Sequence, residues 1–240
     1  MKNAIINKIR KIEFEWRIFI SLFIVAFISF LSFGIYRDLP PISICLGHLI
    51  GLSEIISGPA GFIVSALLMV AASYLRISAG SLLSSRRVMA FKVQSNHLER
   101  QGLYRWVRNP IYFADLIAFC GFAFIMNLVG IILPLILFLH YLQLIVYEEH
   151  SLQKNFGEEF LNYKRNTPMI LPRLRDWKNL WVGNQIHINR DGLRHNALYL
   201  LFIPGFIISA FTGSVLAGVL IGIPAVIDWA IVHTRIGIFA

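Results

Sequence analysis

A chain of 240 residues that is 57% hydrophobic and only 15% charged, with a mean hydropathy of +0.66, is too apolar to present a soluble domain's charged surface. Its net charge of +9 does not by itself indicate nucleic acid, because loops beside a membrane are basic by default. The sequence is that of an integral membrane protein, and its charge has to be read by position.

The first 17 residues alternate Lys or Arg with Ile, Phe and Trp. That pattern suits an amphipathic lead-in on an anionic leaflet, or charges that only set topology. Six apolar runs follow, at 18–36, 55–75, 111–126, 128–147, 197–212 and 214–232. The first lacks a small-residue cleavage site and exceeds a signal-peptide core, so it is read as a span. Arg37, Asp38, Leu39, Pro40 and Pro41 close it, since two prolines cannot continue a helix. The stretch 42–52 is too short to cross and suits a re-entrant or interfacial piece. Gly58, Pro59 and Gly61 kink or start the second run, or let helices approach closely. The runs at 111–126 and 197–212 have 16 residues each and reach about 24 Å, so they need flanking residues or a thinned bilayer. Cys45 and Cys120 lie in apolar surroundings without metal or redox spacing and are expected as buried thiols.

The basic residues are distributed unevenly. Of 22 Lys and Arg, five precede the first run, seven fall between the second and third, and eight between the fourth and fifth. An even number of spans with both termini cytoplasmic puts 21 of the 22 inside, as the positive-inside rule favours. The expected fold is all-α, a polytopic transmembrane helical bundle of about six spans. The segment between Arg76 and Arg108 is then a basic cytoplasmic loop.

The runs at 111–126 and 128–147 read as two antiparallel helices joined near Asn127, and the second continues beyond the membrane to about Arg165, where Pro168 and Pro172 stop it. Arg108, Asn109, Pro110 and Tyr112 stand where this hairpin is entered, and Glu148 and Glu149 where it is left. Arg108 either snorkels to set helix depth or grips a carboxylate with its planar fork. Asn109 and Pro110 suit the N-cap and first position of a helix. Tyr104, Trp106 and Tyr112 form an interfacial belt or stack on a flat ring. Glu148 and Glu149, about 100° apart on a helix, are solvated acids unless one faces inward to neutralise a cation or take a proton. Asp115, His140 and Asp228 are intramembrane ionisable groups, which need a partner or a purpose; a helix-packing hydrogen bond is the reading favoured for His140. No H-E-x-x-H, paired Cys/His cluster or Gly-rich phosphate loop occurs, so no zinc hydrolase or P-loop reading is supported and no metal is expected; nucleic acid is not expected as a partner either, because topology already explains the basic charge.

Two motifs occur in order. The first is G-x-Y-x-x-x-R-N-P-x-Y, carried by Gly102, Tyr104, Arg108, Asn109, Pro110 and Tyr112. The second runs through Glu148, Glu149, Leu152, Phe156, Gly157, Phe160, Tyr163, Pro168, Leu171 and Pro172. Together they resemble the isoprenylcysteine carboxyl methyltransferases and phospholipid methyltransferases, over roughly residues 90–172. Asn109 resembles the phospholipid branch and its bacterial relatives, and Leu144 stands where the prenylcysteine enzymes tend to have an arginine.

The resemblance implies an integral-membrane methyltransferase that uses S-adenosylmethionine, held at the cytoplasmic end of the helical hairpin, and acts on a lipid or lipophilic small molecule. It implies a cofactor site of Gln94, Asn96, His97, Leu98, Glu99, Tyr104, Arg108, Asn109, Pro110, Ile111, Tyr112 and Glu148, with Arg108 and Glu148 catalytic. It also implies a multi-pass location in a bacterial inner membrane, with the active site cytoplasmic. The chain then divides into N-terminal membrane helices and a basic loop (1–89), a methyltransferase core (90–172), and a connector with an appended hairpin (173–240). Two other functions fit less of the pattern. One is an NADPH-dependent enzyme like the sterol reductases, whose motif ends in Gly-Asp where this chain has Ala114 and Asp115. The other is a non-enzymatic membrane protein.

Overall fold

The computed structural model describes residues 2–83, 97–173, 188–216 and 227. Among them the structure is helical, without a strand, and one isolated bridge joins Pro41 to Asn127. The helices are α1 (Lys2–Glu15), α2 (Arg17–Phe30), α3 (Ile42–Leu49), α4 (Glu54–Leu82), α5 (Pro110–Ile125), α6 (Ile132–Asn166), α7 (Arg190–Asn196) and α8 (Phe202–Thr212). Alpha-2 runs on through a π-helical turn, Leu31–Ile35, and short 3-10 turns occupy Gly102–Arg105, Leu128–Ile131 and Leu198–Leu201.

Three segments are long and apolar enough to cross a membrane: Arg17–Ile35, Glu54–Leu82 and Leu128–Asn166. The pair Arg190–Asn196 and Leu198–Thr212, bent by 57°, makes a fourth if taken as one span, and α5 is a shorter apolar helix. Six spans are thus not confirmed among the described residues, and the run at 214–232, with Asp228, lies mostly outside them. The apolar surface is turned outward, as lipid requires: Phe23, Leu67 and Leu139 are exposed. Cys120 is exposed on α5 and Cys45 half-buried, which corrects the expectation of buried thiols. In a bilayer protein an apolar position need not face a core.

Packing divides the bundle into two groups. Alpha-4 touches α3, α5, α7 and α8, whereas α6 packs with α1, α2 and α5. Alpha-5 is thus the element common to both. The core of the second group contains Phe14 of α1, Ile28 of α2, Leu116 and Phe119 of α5, and Leu137 and Tyr141 of α6. Phe14 is buried there, so the end of the basic lead-in is part of the bundle. Its neighbour Glu13 accepts from His140 Nδ1 at 2.8 Å, the packing bond expected of that histidine. Close approach explains Gly61 of α4, where a Cβ would collide with Ser43 of α3, whereas a Cβ on Gly58 would meet nothing.

The second group is tied together at the end where α5 turns into α6. Asn127 donates through Nδ2 to the carbonyls of Ser32 (2.9 Å) and Tyr36 (2.6 Å). It also accepts from Val129 N at 3.1 Å, capping the following turn. One buried amide thereby satisfies carbonyls released where α2 ends. Replacing it strands those groups in an apolar setting. We expect Asn127→Ala to lower stability by about 2–3 kcal/mol, read as a lower unfolding temperature in detergent, with Asn127→Asp no better because it removes the donor.

Candidate active site

At the other end of the bundle, a loop and a strap hold the site. Glu99 Oε1 accepts from the backbone N–H groups of Arg100 (3.0 Å) and Gln101 (2.8 Å), and Glu99 Oε2 lies 3.2 Å from His97 Nε2. This turn leads into the 3-10 segment that presents Tyr104. Past the end of α6, the chain returns over the loop: Arg108 N donates to Pro168 O (2.9 Å) and Asn109 N to Met169 O (3.1 Å). Tyr163 Oη donates to Tyr104 O at 2.6 Å. The proline-containing end of the second motif is thus a backbone strap on the first.

Asn109 does occupy the N-cap of α5 with Pro110 at the first position, but its side chain makes no capping bond. Its Nδ2 donates instead to Met169 O at 3.0 Å. The strap takes the amide that a free helix end would use. Gly157, in the middle of α6, has φ +51°, a conformation that L side chains rarely adopt. It breaks the expected continuous helix and redirects the last turns of α6, with buried Phe160, toward the loop.

Arg108 and Glu149 form the buried centre of this assembly. Arg108 Nε lies 2.8 Å from Glu149 Oε1, and Nη1 donates to Lys164 O (3.1 Å) and to Thr167 O. Lys164 Nζ is 3.1 Å from Glu149 Oε2. The Arg108 fork thus holds α6 and the strap, where the sequence suggested a grip on a ligand carboxylate. The adjacent acids are both engaged, not one as expected. Glu149 faces Arg108, while Glu148, one step round the helix, accepts from Tyr112 Oη at 3.2 Å and lines a cavity. Alpha-6 is covered on two sides here, by the loop and by α5, so two neighbouring positions find partners.

That cavity has a volume of about 850 Å³. The predicted residues His97, Leu98, Glu99, Tyr104, Arg108, Asn109, Pro110, Ile111, Tyr112 and Glu148 all line it; Gln94 and Asn96 lie outside the described residues. Trp106 is not among the lining residues and packs edge-on against Phe113 at 5.7 Å. Tyr104 is buried, and among the described residues its hydroxyl has no hydrogen-bond partner. Burial pushes that phenol well above its ordinary value, so it remains a neutral donor at the cavity wall. Among the described residues no group of three His, Cys, Asp or Glu could hold a metal.

Sequence reasoning missed a second polar cluster on the same wall. Arg76, placed in the basic loop by its charge, is buried within α4 and bonded to Asp115 of α5. Tyr199 Oη donates to the same Asp115 oxygen at 2.7 Å. Asp115 thus has the partner that an intramembrane carboxylate needs, and Tyr199 comes from the C-terminal unit. The residues after Arg76 did not mark the continuation of the helix, because Ser78 and Gly80 are weak helix formers.

These placements separate structural from ligand-facing charge. Arg108→Ala leaves Glu149 buried against fewer partners and should lower stability by about 3–5 kcal/mol. Glu148→Gln keeps a hydrogen-bonding side chain beside Tyr112 and should shift the unfolding temperature little. Thermal unfolding of the two purified variants checks the contrast.

Comparison with curated proteins and with solved structures finds no match. A family model does match. It covers residues 60–159, taking in most of α4, the loop that carries Tyr104 and Arg108, α5, and α6 past both glutamates. Over that stretch, which holds the charged centre and the polar mouth of the cavity, the chain is matched by the phospholipid methyltransferase family.

Proposed function

We propose that the protein is an integral-membrane methyltransferase that uses S-adenosylmethionine and methylates a lipid or lipophilic small molecule, with its site at the cytoplasmic face. The observation that carries this is one cavity with two chemistries. Its mouth is lined by Glu99, Tyr104, Tyr112 and Glu148, and its depth by apolar side chains such as Phe33, Phe62 and Ile125. A polar cofactor and an apolar acceptor can therefore meet without water between them.

S-adenosylmethionine, when bound, supplies a methyl group on a positively charged sulfur. The residues at the mouth suit it: Tyr104 offers a buried donor, Tyr112 an aromatic face, and Glu148 a carboxylate to set against the positive charge. Tyr104, Tyr112 and Glu148 would hold the cofactor so that its methyl carbon could pass to a lone pair on the acceptor, the sulfur keeping the electron pair of the broken bond. A protic acceptor must also lose a proton, and Glu148 is the carboxylate at the mouth suited to receive it. Arg108 acts through the pair with Glu149, orienting the helix turn that presents Glu148. Orientation then carries most of the rate.

Isothermal titration of the purified protein in detergent tests this. We expect saturable binding of S-adenosylmethionine, weakened roughly tenfold in Tyr104→Phe, as the loss of one hydrogen bond implies, and more in Glu148→Ala. Absence of binding by folded protein, or protection against unfolding by NADPH in its place, overturns the proposal.

A further inference from the structure

Below its mouth the cavity has a second polar level. Arg76 of α4, Asp115 of α5, Tyr141 of α6 and Tyr199 of the C-terminal segment all line it. Asp115 lies about 8 Å beyond Pro110 along α5, and Tyr141 about 10 Å before Glu148 along α6, at the helical rise. Tyr141 makes a hydrogen bond with Ser21 of α2, which is also in the lining. The order of residues along α4 and α5 places this level between the polar mouth and the apolar depth at Phe62 and Ile125. Tyr199 lies beyond the matched stretch, so the level is completed by a part of the chain to which the family model gives no role.

The centre of the level is electrically neutral but not saturated. Arg76 Nη1 and Tyr199 Oη both donate to Asp115 Oδ1, the tyrosine at 2.7 Å, and the Arg76 guanidinium lies 5.8 Å over the Tyr199 ring. Among the described residues Asp115 Oδ2 accepts no hydrogen bond and Arg76 Nη2 donates none. The Arg76 and Asp115 side chains retain 9% and 11% of their surface, and they are walls of the cavity. One acceptor and one donor of a buried pair are thus left over in an apolar enclosure. Polar atoms without partners in such a setting carry a desolvation cost that a matching ligand group recovers.

We propose that this level is a binding subsite for a neutral hydroxyl carried on a lipophilic molecule, the hydroxyl donating to Asp115 Oδ2 and accepting from Arg76 Nη2. A hydroxyl donates and accepts through one oxygen, so it serves both groups. A cation meets a carboxylate already countered by Arg76, and an anion meets a guanidinium already countered by Asp115. Either brings an unbalanced charge into low dielectric. An ether has no proton to give Asp115. The apolar body of the ligand then lies against Phe119, Phe122 and Phe202, which line the same cavity and suit a flat ring. That this ligand is the methyl acceptor rests on the methyltransferase reading; the preference for a hydroxyl does not.

The test uses benzenes with the same nonyl chain that differ in one group: para-nonylphenol, para-nonylanisole, nonylbenzene, para-nonylbenzoic acid and para-nonylbenzylamine. Equilibrium uptake of each labelled probe by the full-length protein in nanodiscs is measured without cofactor, and uptake by empty discs is subtracted. We expect the phenol to bind about tenfold tighter than the anisole, which lacks the donor, and tighter than either charged probe. Arg76→Met combined with Asp115→Leu removes both charges at once, so that neither is left buried alone. This double variant should bind nonylbenzene as the wild type does and lose the preference for the phenol. Equal binding of phenol and anisole by the wild type, which needs no variant to fold, overturns the proposal. So does tighter binding of a charged probe, or a phenol preference that survives in the double variant. S-adenosylmethionine is titrated into the same wild-type preparation; absence of cofactor binding sinks the methyltransferase reading and leaves the hydroxyl preference standing.

Discussion

The buried pair of Arg108 and Glu149 fixes everything at the polar end of the bundle. Two ions removed from water are tolerated only when their geometry is good and their other valences are filled. Here the carbonyls of Lys164 and Thr167 accept from Arg108, and the ammonium of Lys164 lies 3.1 Å from Glu149 Oε2. Because Arg108 belongs to the loop, Glu149 to the helix, and the two carbonyls to the turn leading into the strap, the pair sets three segments against one another. Glu148 is presented to the cavity as a result: once Glu149 is committed to the loop, the rotation of α6 is set, and its neighbour meets Tyr112.

The cavity then has two sources. The matched stretch provides the mouth and part of the floor, from the loop, α5 and α6. The remaining walls come from α2 before it and from the C-terminal segment after it, where Tyr199, Phe202 and Phe206 also face the cavity. The described part of the C-terminal segment, to which the motifs give no role, therefore lines the cavity. Phe122 of α5 packs at 5.0 Å against Phe202 and at 5.7 Å against Phe206, which makes the joint between core and appended unit an apolar one.

How much of this could be read in advance depended on range. The hairpin of α5 and α6, its turn at Asn127 and its stop before Pro168 follow from local composition, and the structure has them. The lining residues were legible because a short motif carries most of them. What failed was anything decided by partners distant in sequence. Asn109 has the side chain of a helix cap, yet Met169 takes its amide. Arg108 has the form of a ligand clamp, yet Glu149 stands 41 positions away to meet it. Arg76 was counted with the loop because a charge normally ends a span, and only Asp115 explains why this one does not. Gly157 falls inside the helix read to about Arg165, yet its backbone breaks that helix.

The Arg76–Asp115 pair also bears on how the chain enters its membrane. Each charge alone opposes insertion of its helix, and together they present a nearly neutral unit. Arg76 is made 39 residues before Asp115, whereas Tyr199 follows Asp115 by 84. The pairing therefore favours entry of α4 and α5 into lipid together, as one hairpin. The C-terminal segment arrives later, at a carboxylate that already has its counter-ion, and docks on a core whose charges are settled.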